Sequence, residues 1–237
     1  MINIIFIVIF ILILLYAILK ISSGLIWLFN LLPNFRSKKK DSSKSKSRTK
    51  TIAEIKGESF ENELKDLILY YFPGSKVKQN IIVRNGKFSK EIDLIALTTK
   101  GFFLIEAKNY QHCEIVGDIK EKDWMVKYNE NRKYHLYNPI FQLNSGVWNI
   151  KKHLPSIYLD KAVVFSDDCK LTKDILSHDN IYTLSSFKYF LLELAEVESD
   201  RYSETLIQQV DEALDKIDIV SREEHIKNVQ KIREANA

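Results

Sequence analysis

The stretch Lys90–Tyr110, KEIDLIALTTKGFFLIEAKNY, decides how the rest of the chain is read. It reads as two strands, Glu91–Leu97 and Phe102–Lys108, joined by a tight turn at Thr98-Thr99-Lys100-Gly101. If Thr98 pairs with Gly101, Asp93 faces Glu106 and Glu91 faces Lys108, with all four on one side. Strand alternation then gives the other side to Ile92, Leu94, Ala96, Phe103, Ile105 and Ala107, which is wholly apolar and therefore core. On the charged side Ile95, Leu97, Phe102 and Leu104 keep the turn end apolar, so the charges gather at the far end. Two carboxylates across a ladder repel each other, and the pair costs stability unless a cation lies between them. A divalent metal with a lysine beside it supplies that cation. A salt bridge from Lys108 to either acid on a solvated sheet edge is the simpler alternative.

The spacing D-x12-E-x-K inside hydrophobic strands resembles the active-site signature of the PD-(D/E)xK nuclease superfamily. The neighbours narrow it: Gly57-Glu58-Ser59-Phe60-Glu61, Glu91-Ile92-Asp93, the run from Gly101 to Tyr110, Trp124, and Asn138-Pro139-Ile140-Phe141-Gln142. Together, residues 54 to 165 resemble the nuclease-related domain, or NERD, family within that superfamily. Two positions depart from the family pattern: Phe60 stands where a glycine is usual, and Gly146 where a histidine is usual. The resemblance implies a restriction-endonuclease-like α/β fold, a mixed central β-sheet flanked by helices, and metal-dependent hydrolysis of phosphodiester bonds in nucleic acid, DNA before RNA. It also implies Asp93, Glu106 and the Ala107 backbone carbonyl as hard oxygen ligands for Mg²⁺ or Mn²⁺. Lys108 would then stand beside the attacking water or the scissile phosphate, to help deprotonate the water or neutralise developing charge; Glu61 would bind a second ion or hold a water, and Gln142 would orient Lys108 or touch the nucleic-acid backbone.

Working outward, residues 54–71 have helical periodicity, with Gly57, Glu61, Leu64 and Ile68 on one stripe. Glu61 therefore faces inward, whereas Glu58 aligns with Asn62, Lys65 and Asp66. Pro73-Gly74 ends the helix, and Val77–Val83 forms a strand before the Asn85-Gly86 turn. Beyond the central hairpin, His112–Ile119 and Asp123–Tyr128 read as short strands, with Trp124 a packing residue. Asn138 caps a helix that carries Pro139 in its first turn and runs to about His153. Lys161–Phe165 and Ile181–Leu184 are further strands, and Ser186 heads a helix over Phe187–Val197. Helices follow at Glu204–Ile217 and Glu223–Ala235, the second opened by a Ser221-x-x-Glu224 capping box. The nuclease-related segment thus covers residues 51–170. Residues 171–237 read as a mainly helical extension for packing or homo-oligomer formation.

At 237 residues, 46% hydrophobic and 28% charged, the chain has the composition of a folded protein. Residues 2–19 contain no charge and suit a single transmembrane helix within an anchor over residues 1–35. No basic stretch precedes this run, which argues against a cleaved signal peptide. Residues 36–50 carry eight basic side chains against Asp41 alone, a net +7 in a Ser-rich linker expected to be disordered. Such charge just after a span sets the following domain in the cytoplasm, at the cell membrane, and suits capture of anionic lipid or nucleic acid. With the whole chain at +4, removing the linker's +7 and Lys20 leaves residues 51–237 at −4. That argues against a broad phosphate-binding face and limits a nucleic acid to a local groove, with help from the linker. The five histidines form no ligand spacing or triad, and no phosphate-binding glycine loop or serine elbow occurs, so nucleotide hydrolysis and serine hydrolase chemistry fall away. Cys113 and Cys169, far apart in sequence, read as plain thiols.

Overall fold

Thr51 starts the first helix, α1 (Ile52–Tyr71). Its hydroxyl accepts from the Glu54 N–H at 3.2 Å, and the Glu54 carboxylate accepts from the Thr51 N–H at 2.7 Å, which closes a capping box. The computed structural model describes residues 51–85, 88–217 and 220–235. The expected membrane span and basic linker lie outside them. Among the described residues no helix is long and apolar enough to cross a membrane. The buried stripe of α1 is Phe60, Leu64 and Ile68; Leu64 and Ile68 are where they were expected, while Gly57 and Glu61 sit half-buried on its flank. Phe60, which departs from the glycine usual in the resembled family, fills core volume that glycine would leave empty.

The strands β1 (Lys76–Asn85), β2 (Phe88–Leu97) and β3 (Phe102–Lys108) form an antiparallel meander. The turn expected between β2 and β3 is present: the Thr98 N–H donates to the Gly101 carbonyl at 3.0 Å, and the β2–β3 register is the expected one, from Leu97 opposite Phe102 to Leu94 opposite Ile105. After β3 come β4 (Cys113–Val116), β5 (Asp123–Asn129) and β6 (Arg132–Tyr137), then α2 (Pro139–His153), capped by Asn138 as its side chain accepts from Ile140 N–H. Then follow β7 (Asp160–Phe165), β8 (Cys169–Leu171), the short α3 (Lys173–Leu176), β9 (Ile181–Thr183), and the helices α4 (Leu184–Glu196), α5 (Glu204–Leu214) and α6 (Arg222–Ala235).

The expected single central sheet is two mixed sheets. One has the order β1-β2-β3-β7-β9, with β3, β7 and β9 parallel, and the other has the order β6-β5-β4-β8. The strands β4, β5 and β6 pair with one another and with β8, so they build a second sheet and do not widen the first. One core lies on the face of the first sheet that meets α2 and the second sheet, and includes Ile95, Leu97, Phe102, Leu104, Trp124, Leu143 and Phe165. The other joins α1 and α4 to the opposite face through Leu64, Ile68, Leu94, Phe103, Ile105, Val164 and Phe187. Gly146 lets α2 lie close to the sheet: a Cβ there would meet Leu104 Cδ2 at 3.2 Å. Residues 171–237 add to the first sheet and to both cores. β9 extends the first sheet, Phe187 and Leu191 of α4 fill one core, and Ile207, Val210 and Leu214 of α5 fill the other.

Candidate active site at a fork in the sheet

Pairing between β2 and β3 stops at Leu94 and Ile105, while β1 and β2 stay paired to Asn85 and Phe88, and β3 stays paired with β7 to Lys108 and Phe165. The sheet therefore forks at Asp93. In the gap the Asp93 Oδ2 accepts the Ala107 N–H at 2.8 Å, so a side chain takes the ladder position that the departing strand gives up. The fork coincides with a reversal of faces. Leu94 and Ala96 belong to the α1 core, yet Ile92 joins Ile95 and Leu97 in the core under α2. The expectation that Ile92 shares a face with Leu94 and Ala96 is thus overturned, because simple alternation fails at Asp93.

Glu106 and Lys108, two residues apart on β3, keep the alternation and share a side. Lys108 Nζ lies 2.6 Å from Glu106 Oε1, with the two side chains 15% and 4% exposed. The expected facing of Glu91 and Lys108 is not formed, since β2 has already left β3. Glu91 instead pairs with Ile82 of β1, and its carboxylate lies 3.8 Å from His225 Nε2. Glu61 approaches from α1, close enough for its charge to act on Asp93, and its Oε2 accepts from Asn80 Nδ2 at 2.9 Å. Gln142 is half-buried on α2, one turn before Gly146. No hydrogen bond joins it to the four charged residues.

Burial, then the charge of Glu106, pushes the Asp93 carboxyl up to about 7; Lys108 and the Ala107 N–H oppose the rise without cancelling it, and Glu61 adds to it. Burial alone would lower Lys108, but the Glu106 and Asp93 carboxylates outweigh it and hold the ammonium above the ordinary lysine range. Two acids, Glu106 and Asp93, thus converge on one lysine, and Glu61 acts on Asp93 from α1. Among the described residues no three His, Cys, Asp or Glu side chains are grouped as a ready metal cage. The donor set that fits is smaller: Asp93, Glu106 and the Ala107 carbonyl, all hard oxygens. It suits a cation that keeps several of its own waters.

Sequence reasoning missed Asn80, which lies across the ladder from Asp93 with a left-handed backbone, φ 54°. Its signal was weak: one asparagine inside a strand of alternating character. Residues 55–166 match the family model described as NERD, nuclease-related domain. The matched segment contains Glu61, Asn80, Asp93, Glu106, Lys108 and Gln142. No curated protein and no solved structure matches the chain.

Proposed function

We propose that the fork is the active site of a nuclease of the PD-(D/E)xK type, which hydrolyses nucleic-acid phosphodiester bonds with Mg²⁺ or Mn²⁺. The observation that carries this reading is the convergence of Asp93, Glu106 and Lys108 at the fork, within a segment matched by a nuclease-related family. Asp93, Glu106 and the Ala107 carbonyl would hold the ion. When bound, the ion supplies electrophilic polarisation of a phosphoryl oxygen. Lys108 remains an ammonium in this surrounding, so its work is to donate a hydrogen bond to the phosphate and offset charge that grows in the transition state. Glu61, which accepts a hydrogen bond from Asn80, would hold the attacking water or a second ion. Gln142 contacts the nucleic-acid backbone or steadies Lys108.

DNA is the favoured substrate, with residues 2–19 as a single-pass membrane anchor and residues 36–50 as a basic tether that gathers lipid or nucleic acid near a cytoplasmic domain. A second reading is a binding or scaffold module with negligible turnover, favoured by the net −4 of residues 51–237, which repels polyanions outside a local groove. The test is a Mg²⁺ and Mn²⁺ titration against labelled single- and double-stranded DNA and RNA, with Asp93→Asn as control. Metal-dependent cleavage lost in Asp93→Asn supports the nuclease. Nucleic-acid binding without cleavage at any metal concentration supports the module.

A further inference from the structure

We propose that Asn80 is a positioning residue that fastens Glu61 to the fork, an inference that rests on the metal-site reading above. In β1 the register runs Gln79 opposite Leu94 and Ile81 opposite Ile92, which leaves Asn80 facing Asp93. Both strands change faces at this step. Val77 packs against the α1 core and Gln79 Nε2 donates to Asn62 Oδ1 of α1 at 3.0 Å, whereas Ile81 and Val83 lie in the core under α2. A single left-handed residue, φ 54°, turns β1 over without adding a residue to the ladder. The fork at Asp93 and the turnover at Asn80 are therefore two halves of one distortion.

Glycine adopts a left-handed backbone with the least strain, so the backbone alone asks for glycine at position 80. Asparagine tolerates that conformation and adds an amide. Here the amide is used: Nδ2 donates to Glu61 Oε2 at 2.9 Å. Glu61 comes from the helix on one face of the sheet, while Glu106 and Lys108 belong to a strand whose neighbouring Leu104 lies in the core of the other face. A glutamate has three side-chain torsions, and ordering them on a half-buried helix flank costs rotamer entropy. The amide bond fixes one carboxylate oxygen, and so aims the group at Asp93.

Four variants of the full chain separate this role from a backbone one: Asn80→Gly, Asn80→Asp, Glu61→Gln and the double Glu61→Gln/Asn80→Gly. Each is measured for metal-free melting temperature, Mn²⁺ affinity by calorimetry, and kcat and KM on labelled DNA. Asn80→Gly is expected to melt at or above wild type yet bind Mn²⁺ at least tenfold more weakly, with kcat reduced at least tenfold and KM unchanged. The double variant should be no weaker than Glu61→Gln alone, since both changes remove one interaction. Asn80→Asp, which puts an anion where the donor was, should fall below Asn80→Gly in Mn²⁺-independent melting temperature. Wild-type Mn²⁺ affinity in Asn80→Gly, or losses that simply add in the double variant, overturns the positioning role. Wild-type protein that binds Mn²⁺ but cleaves nothing sinks the nuclease reading alone, and the Mn²⁺ affinities still decide for or against Asn80. Wild-type protein that takes up no Mn²⁺ overturns both.

Discussion

Asp93→Asn should stabilise the metal-free protein, and by an amount that grows with pH. The folded carboxyl titrates at about 7 against an ordinary 3.8, so the folded protein keeps this proton longer than the unfolded chain does. Stability is therefore lost as pH rises from about 4 to about 7 and levels off above that. At ~1.4 kcal/mol for each tenfold change in proton affinity, the cost of the anion approaches about 4 kcal/mol at pH 8, against about 2 kcal/mol at pH 5. Asparagine has nearly the same volume, keeps an oxygen for the Ala107 N–H, and removes the repulsion with Glu106. The melting temperature of Asp93→Asn in excess chelator should exceed that of wild type, and the gap should widen by roughly 5–10 °C between pH 5 and pH 8 for a chain of this size. Added Mg²⁺ should close the gap from the wild-type side, because the cation relieves what the substitution relieves. A gap that stays constant or shrinks with rising pH would show that Asp93 is not an anion held at a cost.

If the fork is a nuclease site, Lys108→Ala should lower turnover at least ~100-fold by removing the cation proposed to face the phosphate, and it should lower the metal-free melting temperature because it leaves Glu106 buried without its 2.6 Å partner; unchanged melting would mean that the pair is not formed in solution. Gly57→Ala and Gly117→Ala should move stability in opposite directions in chemical denaturation. A Cβ at Gly57, inside α1, meets nothing within 4 Å and gains roughly 0.5–1 kcal/mol of helix preference, whereas one at Gly117 would stand 2.3 Å from the Trp124 ring and costs about 1–3 kcal/mol or more. If residues 2–19 cross the membrane once with the domain inside, the C-terminus should resist protease in intact cells and be digested after lysis; a mature chain lacking the first ~25 residues would restore a cleaved signal peptide.

The central hairpin was legible because its register depends on local chemistry: the Thr98–Gly101 turn and a strict period of two bring Leu94 to Ile105 without help from the rest of the fold. The same period misled at Ile92, since alternation assumes that a strand keeps one twist, and the left-handed Asn80 on the neighbouring strand breaks that assumption. Nothing within β2 announces it. Pairing between distant segments was equally hidden. Cys113 and Cys169 are register partners on adjacent parallel strands, both buried and free, with burial pushing the Cys169 thiol up to about 12. Their separation in sequence pointed the other way. The stripe of α1 was read correctly at Leu64 and Ile68, but Gly57 and Glu61 were counted in it although core volume at that helix end comes from Phe60. The helices from Leu184 onward were readable as elements, although the first is capped by Thr183 and not by Ser186, and only Ser221 caps as expected; an isolated amphipathic helix does not say which sheet face it covers.

The cost at Asp93 bears on whether the domain is an enzyme or a scaffold. Domains of this kind are stable by only about 5–15 kcal/mol, so an anion costing about 4 kcal/mol is a large burden on the metal-free fold. A sheet that needed only to hold together would be served as well by an amide at position 93, which keeps the Ala107 hydrogen bond and drops the charge. Lys108 does not remove the burden: its ammonium lies on Glu106 and leaves Asp93 still raised by burial and by that neighbour. The fork thus holds more negative charge than its own lysine offsets, with Glu61 adding to it from α1. An arrangement that is costly alone and relieved by a cation is what a site needs if binding the ion is to change its energy. This is why the pH dependence of Asp93→Asn and its loss in Mg²⁺ bear on function as well as on stability: a scaffold gives no reason for the two to be linked.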